Sequence, residues 1–488
     1  MNNQSLRSKT IKGVGWSAAD AFLGQGITFL VGLVLARILS PEEYGLIGIC
    51  LIFTTVLNGV VDSGFSSALI RKKDATNNDY NTMFITNLVI SVVLYIGLYF
   101  ASPYIATFFD RTELTPLIRV LGVVLIINAL SITQNTILTK RIDFKTKTKV
   151  SLISAGVSGI VGIAMAYTGM GVWALISQVL TKQLLYTICL WIFNRWWPNF
   201  TFSSESFRYM WGFGSKMMLS GLLDNIWKQL YQVVVGKFYS PATLGQYSRS
   251  KEYANIFSAN LTSIVQRVSY PALAEIQDDK SRMIVAYRKV IKVTMFVTCV
   301  CMISIGAVAE PLIYCLIGPK WHEAATYLPL ICITMSLYPL HAINLNMLQI
   351  QGRSDIFLYL DIIKKIIGIA PLAMGIFMDI YWMLIGSIAT GIISFFLNSY
   401  YTGRRLGYTS WMQLRDVSAS YAVAFTIAIA VYFLKYLPLS YWAILPIQIV
   451  IGVSVGIIVC ERLQLTEYKE IKNIIFSAIN KYGRKTKQ

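Results

Sequence analysis

LARILSPEEYG, residues 35–45, returns in altered spelling as GKFYSPATLG, residues 236–245. In each copy an apolar run reaches a basic residue, Arg37 or Lys237. Ser-Pro follows, as Ser40-Pro41 and Ser240-Pro241, and a glycine, Gly45 or Gly245, opens the next apolar run. Proline cannot donate a backbone hydrogen bond and restricts the residue before it, so Ser-Pro ends one helix and starts another. The basic residue can snorkel to an interface. The phrase reads as a helical hairpin written at equivalent points of two repeats. The flanks agree. Gly13 and Gly15 enter the first copy's helix, Gly212 and Gly214 the second's. Asp20 lies early in one helix and Asp224 inside the other.

The helices are apolar enough to cross a membrane. The 488 residues are 55% hydrophobic and only 14% charged, against about a quarter charged in soluble domains. Taking roughly 20 apolar residues per crossing, spans fall at about 14–38, 44–70, 82–109, 114–139, 149–169, 171–195, 213–237, 243–270, 289–317, 324–350, 356–378, 381–403, 416–437 and 441–461. The fold expected is an all-α polytopic membrane protein of about fourteen transmembrane helices. In the ninth, Glu310-Pro311 interrupts the run. An even number of spans separates the two hairpin phrases, so both face the same side of the membrane. That makes a parallel repeat about an axis along the membrane normal. Residues 1–200 form the first six-helix half and 201–405 the second. Residues 406–488 add two helices and the basic tail KYGRKTKQ.

Formal net charge is +19. The cations alternate between loops rather than forming one patch. Arg7, Lys9 and Lys12 precede the first span, and Arg71, Lys72 and Lys73 follow the second. Lys140, Arg141, Lys145, Lys147 and Lys149 follow the fourth, and Lys280, Arg282, Arg288, Lys289 and Lys292 the eighth. Arg404 and Arg405 follow the twelfth. Intervening loops such as 169–171 and 437–440 carry almost none. This alternation places both termini in the cytoplasm and assigns the charge to topology, with no nucleic-acid partner. The basic start leads into an apolar stretch too long for a signal-peptide core, which reads as a retained first span.

Several chemistries are excluded. No phosphate loop of the G-x-x-x-x-G-K-[ST] type occurs. Seven cysteines without C-x-x-C spacing and two histidines give no metal site, and no cofactor is expected. Connections are short, with no external domain to house an ATPase or the acidic catalytic loop of a membrane-embedded polymerase.

Gly13 to Trp16 as GxxW, the LARILSPEEYG segment, and Asp62-Ser63-Gly64 ahead of Arg71-Lys72-Lys73 resemble the polysaccharide transporter family. These are the Wzx-like O-antigen and capsule repeat-unit flippases of the multidrug/oligosaccharidyl-lipid/polysaccharide exporter superfamily. Among them the chain is most similar to the colanic-acid-type exporters. The resemblance implies two six-helix bundles around a central cavity in the bacterial cytoplasmic (inner) membrane. It implies export of undecaprenyl-diphosphate-linked oligosaccharide repeat units by alternating access, for O-antigen, capsule or exopolysaccharide assembly. Partners would be that lipid carrier, membrane lipids, and polymerase and chain-length proteins of the same pathway. The protein would not be an enzyme.

Ionisable side chains inside spans are costly and mark function. Lys182, Asp224, Lys228, Lys251 and Glu252 lie nearest mid-depth; Asp20, Asp62, Arg249, Lys364 and Lys365 lie further out, and Lys216 and Arg267 near the cytoplasmic ends. Polar stripes at helical spacing accompany them: Ser17, Asp20, Gly24, Thr28; Thr55, Asn58, Asp62, Ser66; Asn128, Ser131, Asn135, Thr139; Lys251, Asn255, Ser258, Thr262, Gln266; His341, Asn344, Gln351. Such faces point to a watery cavity. Spans thirteen and fourteen carry almost no stripe and read as peripheral. The inventory is net basic, which suits a diphosphate head group. Lys182, Lys228, Arg249 and Lys251 are the first substrate-binding candidates, with Lys216, Arg267, Lys364 and Lys365 behind them. Asp20, Asp62 and Asp224 are ion-coupling candidates.

Each has a plainer reading. Asp224 and Lys228, an i,i+4 pair, neutralise one another. Lys216, Arg267, Lys364 and Lys365 snorkel. Arg37 and Lys237 anchor at the interface, and His341 packs as a polar residue rather than carrying a proton. Rival functions are a small-molecule cation or drug exporter of the same superfamily, a membrane-embedded glycan polymerase or ligase, and a flippase for the peptidoglycan precursor.

Overall fold

A computed structural model describes Trp16 and residues 23–473. Among the described residues the chain is helical, without strands. The helices are α1 (Gln25–Ile38), α2 (Pro41–Val61), α3 (Phe65–Arg71), α4 (Asn77–Phe108), α5 (Leu114–Gly122), α6 (Val124–Lys140), α7 (Phe144–Tyr167), α8 (Val172–Asn194) and α9 (Ser204–Phe238). They continue as α10 (Pro241–Glu275), α11 (Lys280–Ala307), α12 (Ala309–Ile317), α13 (His322–Ser336), α14 (Tyr338–Ile350) and α15 (Ser354–Ile367). The last are α16 (Ile369–Phe377), α17 (Ile380–Leu406), α18 (Ser410–Tyr432) and α19 (Tyr441–Arg462).

Ten segments among the described residues are long and apolar enough to cross a membrane, several of them built from two helices joined at a kink. The protein is a multi-pass membrane protein. The other segments expected to span are α1, α9, α10 and α15 with α16. Helices α9 and α10 have ample length, 35 residues each, but charged side chains punctuate them. Spans two, four, nine, ten and eleven are each split. The ninth breaks at Val308, just ahead of Glu310 and Pro311.

The chain divides into two compact units, residues 1–245 and 246–488. In the first, α7 packs on α8 and α1, α6 on α4 and α8, and α9 lies along α2 and α3. Both copies of the repeated phrase are helix caps here. Pro41 occupies the first turn of α2, and Ser40 and Glu43 form a reciprocal capping box: Glu43 N donates to Ser40 Oγ (3.3 Å), and Ser40 N to Glu43 Oε2 (2.6 Å). Ser240 Oγ likewise accepts from Thr243 N at 3.1 Å ahead of α10. Lys237, closing α9, pairs with Asp110 at 2.7 Å, so this anchor is held by a carboxylate.

The second unit stacks α18 on α11 and α19, α13 on α11 and α17, and α14 on α15 and α17. Its core joins Tyr287, Met295 and Cys299 of α11 to Met347 of α14 and Ala424 of α18. Helix α18 begins at Ser410 and carries buried Gln413, Asp416 and Ser420. Span thirteen therefore has a polar stripe after all, with Asp416 bonded to α11 and Gln413 to α14. It escaped the sequence reading because that reading started the span at 416, leaving part of the stripe in the loop.

Candidate functional site

In the first unit, polar side chains of α2, α6 and α8 form a ladder. Asn128 Nδ2 donates to Asn58 Oδ1 at 2.8 Å, and Gln183 Nε2 donates to Asn128 Oδ1 at 3.2 Å and Ser131 Oγ at 3.3 Å. Further along, Thr136 Oγ1 donates to Ser66 Oγ (2.9 Å), whose own hydroxyl donates to Asp62 Oδ1 (2.5 Å). Two of the expected stripes thus face each other. Asp62 sits at the break between α2 and α3, where Ser63 and Gly64 take φ of 50° and 69°. A left-handed pair interrupts an α-helix, and glycine adopts it without strain. A Cβ at Gly64 would come within 2.7 Å of the Gly214 carbonyl oxygen, and one at Gly214 within 2.7 Å of that of Ser63. The Asp62-Ser63-Gly64 motif and Gly214 are two sides of one close contact, while a Cβ at Gly212 would meet nothing within 4 Å. Broken helices with a carboxylate at the break are where transporters hold coupling ions.

Other first-unit candidates are more open. Lys228 pairs with Asp224 at 2.6 Å, but both side chains are exposed, 65% and 44%. Lys182 on α8 and Lys216 on α9 are exposed. Asp20, with Ser17, lies outside the described residues.

In the second unit, Arg249 is buried and donates to Glu252 Oε2 at 2.7 Å. Lys251 is half-buried, with its ammonium 5.8 Å from the centre of the Tyr247 ring. The rest of its stripe is partly consumed by packing. Ser258 is buried and donates to the Met335 carbonyl at 2.6 Å, and Thr262 donates to its own helix. Arg267 is exposed. On α15, Lys365 pairs with Asp361 at 2.8 Å, and Lys364 is half-buried. His341 Nδ1 lies 3.3 Å from Asn398 Nδ2. Just before α15, Arg353 clasps Asp355 through two hydrogen bonds (2.7 and 2.5 Å) and holds its carboxyl down to about 2.

Sequence reasoning missed a buried network that joins α11, α14 and α18. Tyr287 Oη donates to Asn344 Oδ1 at 2.9 Å, and the Asn344 and Gln413 amides bond reciprocally at 3.0 and 3.2 Å. Below them Arg288 grips Asp416 with both nitrogen branches, Nη2 to Oδ1 at 2.7 Å, while Tyr408 Oη donates to the same carboxylate at 2.8 Å. Lys289 and Lys292 reach Glu470 (2.9 Å) and Glu467 (2.5 Å) beyond α19. Several of the cations credited to a cytoplasmic loop are thus also fastenings between helices.

The chain is similar to known proteins in sequence and in fold. Residues 34–326 match the family described as polysaccharide biosynthesis protein. The succinoglycan biosynthesis transport protein ExoT of Rhizobium meliloti (strain 1021) is 25% identical over 372 residues, 76% of this chain and 75% of that one. The teichuronic acid biosynthesis protein TuaB of Bacillus subtilis (strain 168) is 26% identical over 363 residues, 73% and 74% of the two chains. Among solved structures, the lipid II flippase MurJ in an inward closed conformation superposes with a TM-score of 0.72, at 16% identity, covering 94% of this chain and 99% of that one. The fold is therefore that of the exporter superfamily named from the sequence. The chain belongs to the polysaccharide biosynthesis protein family.

Proposed function

We propose that this member of the polysaccharide biosynthesis protein family is a flippase. It moves undecaprenyl-diphosphate-linked oligosaccharide repeat units across the bacterial cytoplasmic membrane by alternating access, for assembly of a surface polysaccharide. The observation that carries the reading is Lys251, a half-buried cation inside an expected span of the second unit, with its ammonium beside the Tyr247 ring. A charge inside a span is costly without a task, and an ammonium beside an aromatic ring suits a phosphate joined to a sugar. Arg249, two residues earlier on the same helix and so on another face, is buried and bonded to Glu252. The prenyl tail stays in lipid while the sugars cross through a polar interior.

On this reading the protein performs no covalent chemistry and hands its cargo to polymerase and chain-length proteins. Both termini lie in the cytoplasm. The halves are 1–200 and 201–405, with 406–488 as an addition. Asp62 is the coupling-ion residue favoured by its broken helix and hydroxyl relay. Lys216, Arg267 and Lys182, all exposed, are secondary head-group contacts. The relatives' names support a glycan cargo over the cation-exporter rival, as does the basic inventory of the spans.

Deleting the gene in its host and assaying surface glycan together with lipid-linked intermediates tests the reading. Loss of surface polysaccharide with build-up of undecaprenyl-diphosphate oligosaccharide on the cytoplasmic leaflet is expected. Normal glycans with sensitivity to cationic drugs would pass the function to the exporter rival.

A further inference from the structure

Tyr99, Ser102 and Pro103 stand together in α4, in the stretch YFASP. A proline inside a helix lacks the N–H that would reach the carbonyl four residues back. Here that carbonyl belongs to Tyr99. Two other donors take it over: Ser102 Oγ at 2.7 Å and, more weakly, Arg119 Nε of α5 at 3.4 Å. Arg119 Nε also donates to Ser102 Oγ at 3.0 Å, and the guanidinium lies 4.2 Å from the centre of the Tyr99 ring. Ser102 is fully buried. One edge of the guanidinium and its flat face are thus both fixed. Its two Nη nitrogens meet no protein partner among the described residues.

The freed carbonyl does not need the charge, because the neutral Ser102 hydroxyl already satisfies it. A permanent, half-buried cation in a span is costly without an anion, and the chain supplies none. Helix α5 has no acidic residue. Helix α4 has one, Asp79, at its other end and bonded to Lys72. In the neighbouring loops Asp110 pairs with Lys237 and Glu42 with Arg111, and exposed Glu113 makes no pair with Arg119.

Position names the anion. Helix α4 has 32 residues, and about 20 cross the hydrocarbon, so its end turns reach the headgroup layer. Ser102 stands six residues before the last, Phe108. Tyr99, Phe100 and Tyr104 are exposed at this end, as aromatic residues at the lipid boundary are. The anion abundant at that level is phosphate carried by lipid, and two adjacent Nη nitrogens form a fork that receives two phosphate oxygens.

We propose that Arg119, positioned by Tyr99 and Ser102, is a binding site for the phosphate of a lipid. Two kinds of lipid carry this chemistry, a phospholipid and a prenyl diphosphate, and the test separates them. The site stands independently of the flippase reading, which the gene deletion decides on its own.

The test is native mass spectrometry of the full-length protein in detergent. It is titrated with a phosphatidylglycerol, with farnesyl diphosphate, and with a diacylglycerol of the same acyl chains. Arg119→Gln is expected to weaken attachment of the first phosphatidylglycerol about tenfold and to leave diacylglycerol unchanged. Arg119→Lys keeps the charge and loses the fork, so it should recover only part of that loss. Ser102→Ala keeps the arginine and frees its edge. It should weaken phosphatidylglycerol binding about threefold, and it tests the site even if the glutamine variant fails to fold. A larger loss for farnesyl diphosphate than for phosphatidylglycerol assigns the phosphate to a prenyl carrier, and the reverse assigns it to the bilayer; both uphold the site. Equal binding of each phosphate lipid by wild type and Arg119→Gln, or no binding of either by wild type, overturns it. An equal loss of diacylglycerol overturns it too, because the arginine would then shape a groove for acyl chains.

Discussion

Gly45 and Pro241 are in backbone contact: a Cβ at position 45 would lie 1.7 Å from the Pro241 carbonyl oxygen. The relationship is reciprocal, since a Cβ at Gly245 would lie 2.0 Å from the Pro41 carbonyl oxygen and 3.1 Å from Gly45 N. The two copies of the repeated phrase therefore touch, each glycine against the other's proline. The clashing atoms are backbone and cannot rotate away. Gly45→Ala or Gly245→Ala is expected to destabilise this closed arrangement by about 1–3 kcal/mol, seen as a lower unfolding temperature in detergent. Gly26→Ala, where a Cβ meets nothing within 4 Å, should leave it unchanged or raise it. Equal behaviour of the three would contradict the contact.

Asp62 and Asp224 should separate in function. Asp62 is at a helix break with a hydroxyl relay behind it, whereas Asp224 is an exposed partner of Lys228. Asp62→Asn is expected to slow export about tenfold while leaving farnesyl diphosphate affinity within about twofold, because it removes the ion and not the cargo contact. Asp224→Asn should change neither, since exposed pairs contribute little. Export in a gene-deleted host, paired with calorimetry, measures both.

Among the basic residues, depth should decide. Lys251→Gln removes a charged contact worth about 1.5–3 kcal/mol and should lower export about tenfold or more. Lys216→Gln, exposed on α9, should leave export within about twofold. Export at matched expression checks this, and equal loss by both variants would sink the head-group assignment of Lys251.

Arg288 and Asp416 bind α18 to α11. Removing Arg288 leaves a 7%-exposed carboxylate with only Tyr408 to satisfy it. Arg288→Ala should cost about 3 kcal/mol, and the double change Arg288→Met, Asp416→Leu should recover most of that. Thermal unfolding of the three proteins gives the comparison. If the double variant is no better than the single one, the loss came from packing and not from the stranded charge.

Much of this was legible in the sequence because it rests on periodicity and punctuation. The apolar runs, the Ser-Pro caps and the Asp62-Ser63-Gly64 motif all mark local structure, and the structure uses them so. The i,i+4 partnership of Asp224 and Lys228 was readable for the same reason. What sequence could not give is which face of a helix another helix covers. Ser258 and Thr262 share a stripe with Lys251, yet they are packed and Lys251 is not. Asn344 and Gln413, 69 positions apart, recognise each other through reciprocal amides, and nothing local foretells that.

The central claim is that this chain by itself carries a lipid-linked glycan across a bilayer. The most direct measurement uses proteoliposomes holding the purified protein and a fluorescent undecaprenyl-diphosphate oligosaccharide confined to the inner leaflet. A membrane-impermeant glycosidase outside reports arrival at the outer leaflet. The account predicts loss of substrate to the glycosidase beyond half the lipid within minutes, slowed about tenfold in Lys251→Gln. Rates equal to protein-free liposomes, with the protein folded and inserted, would contradict it.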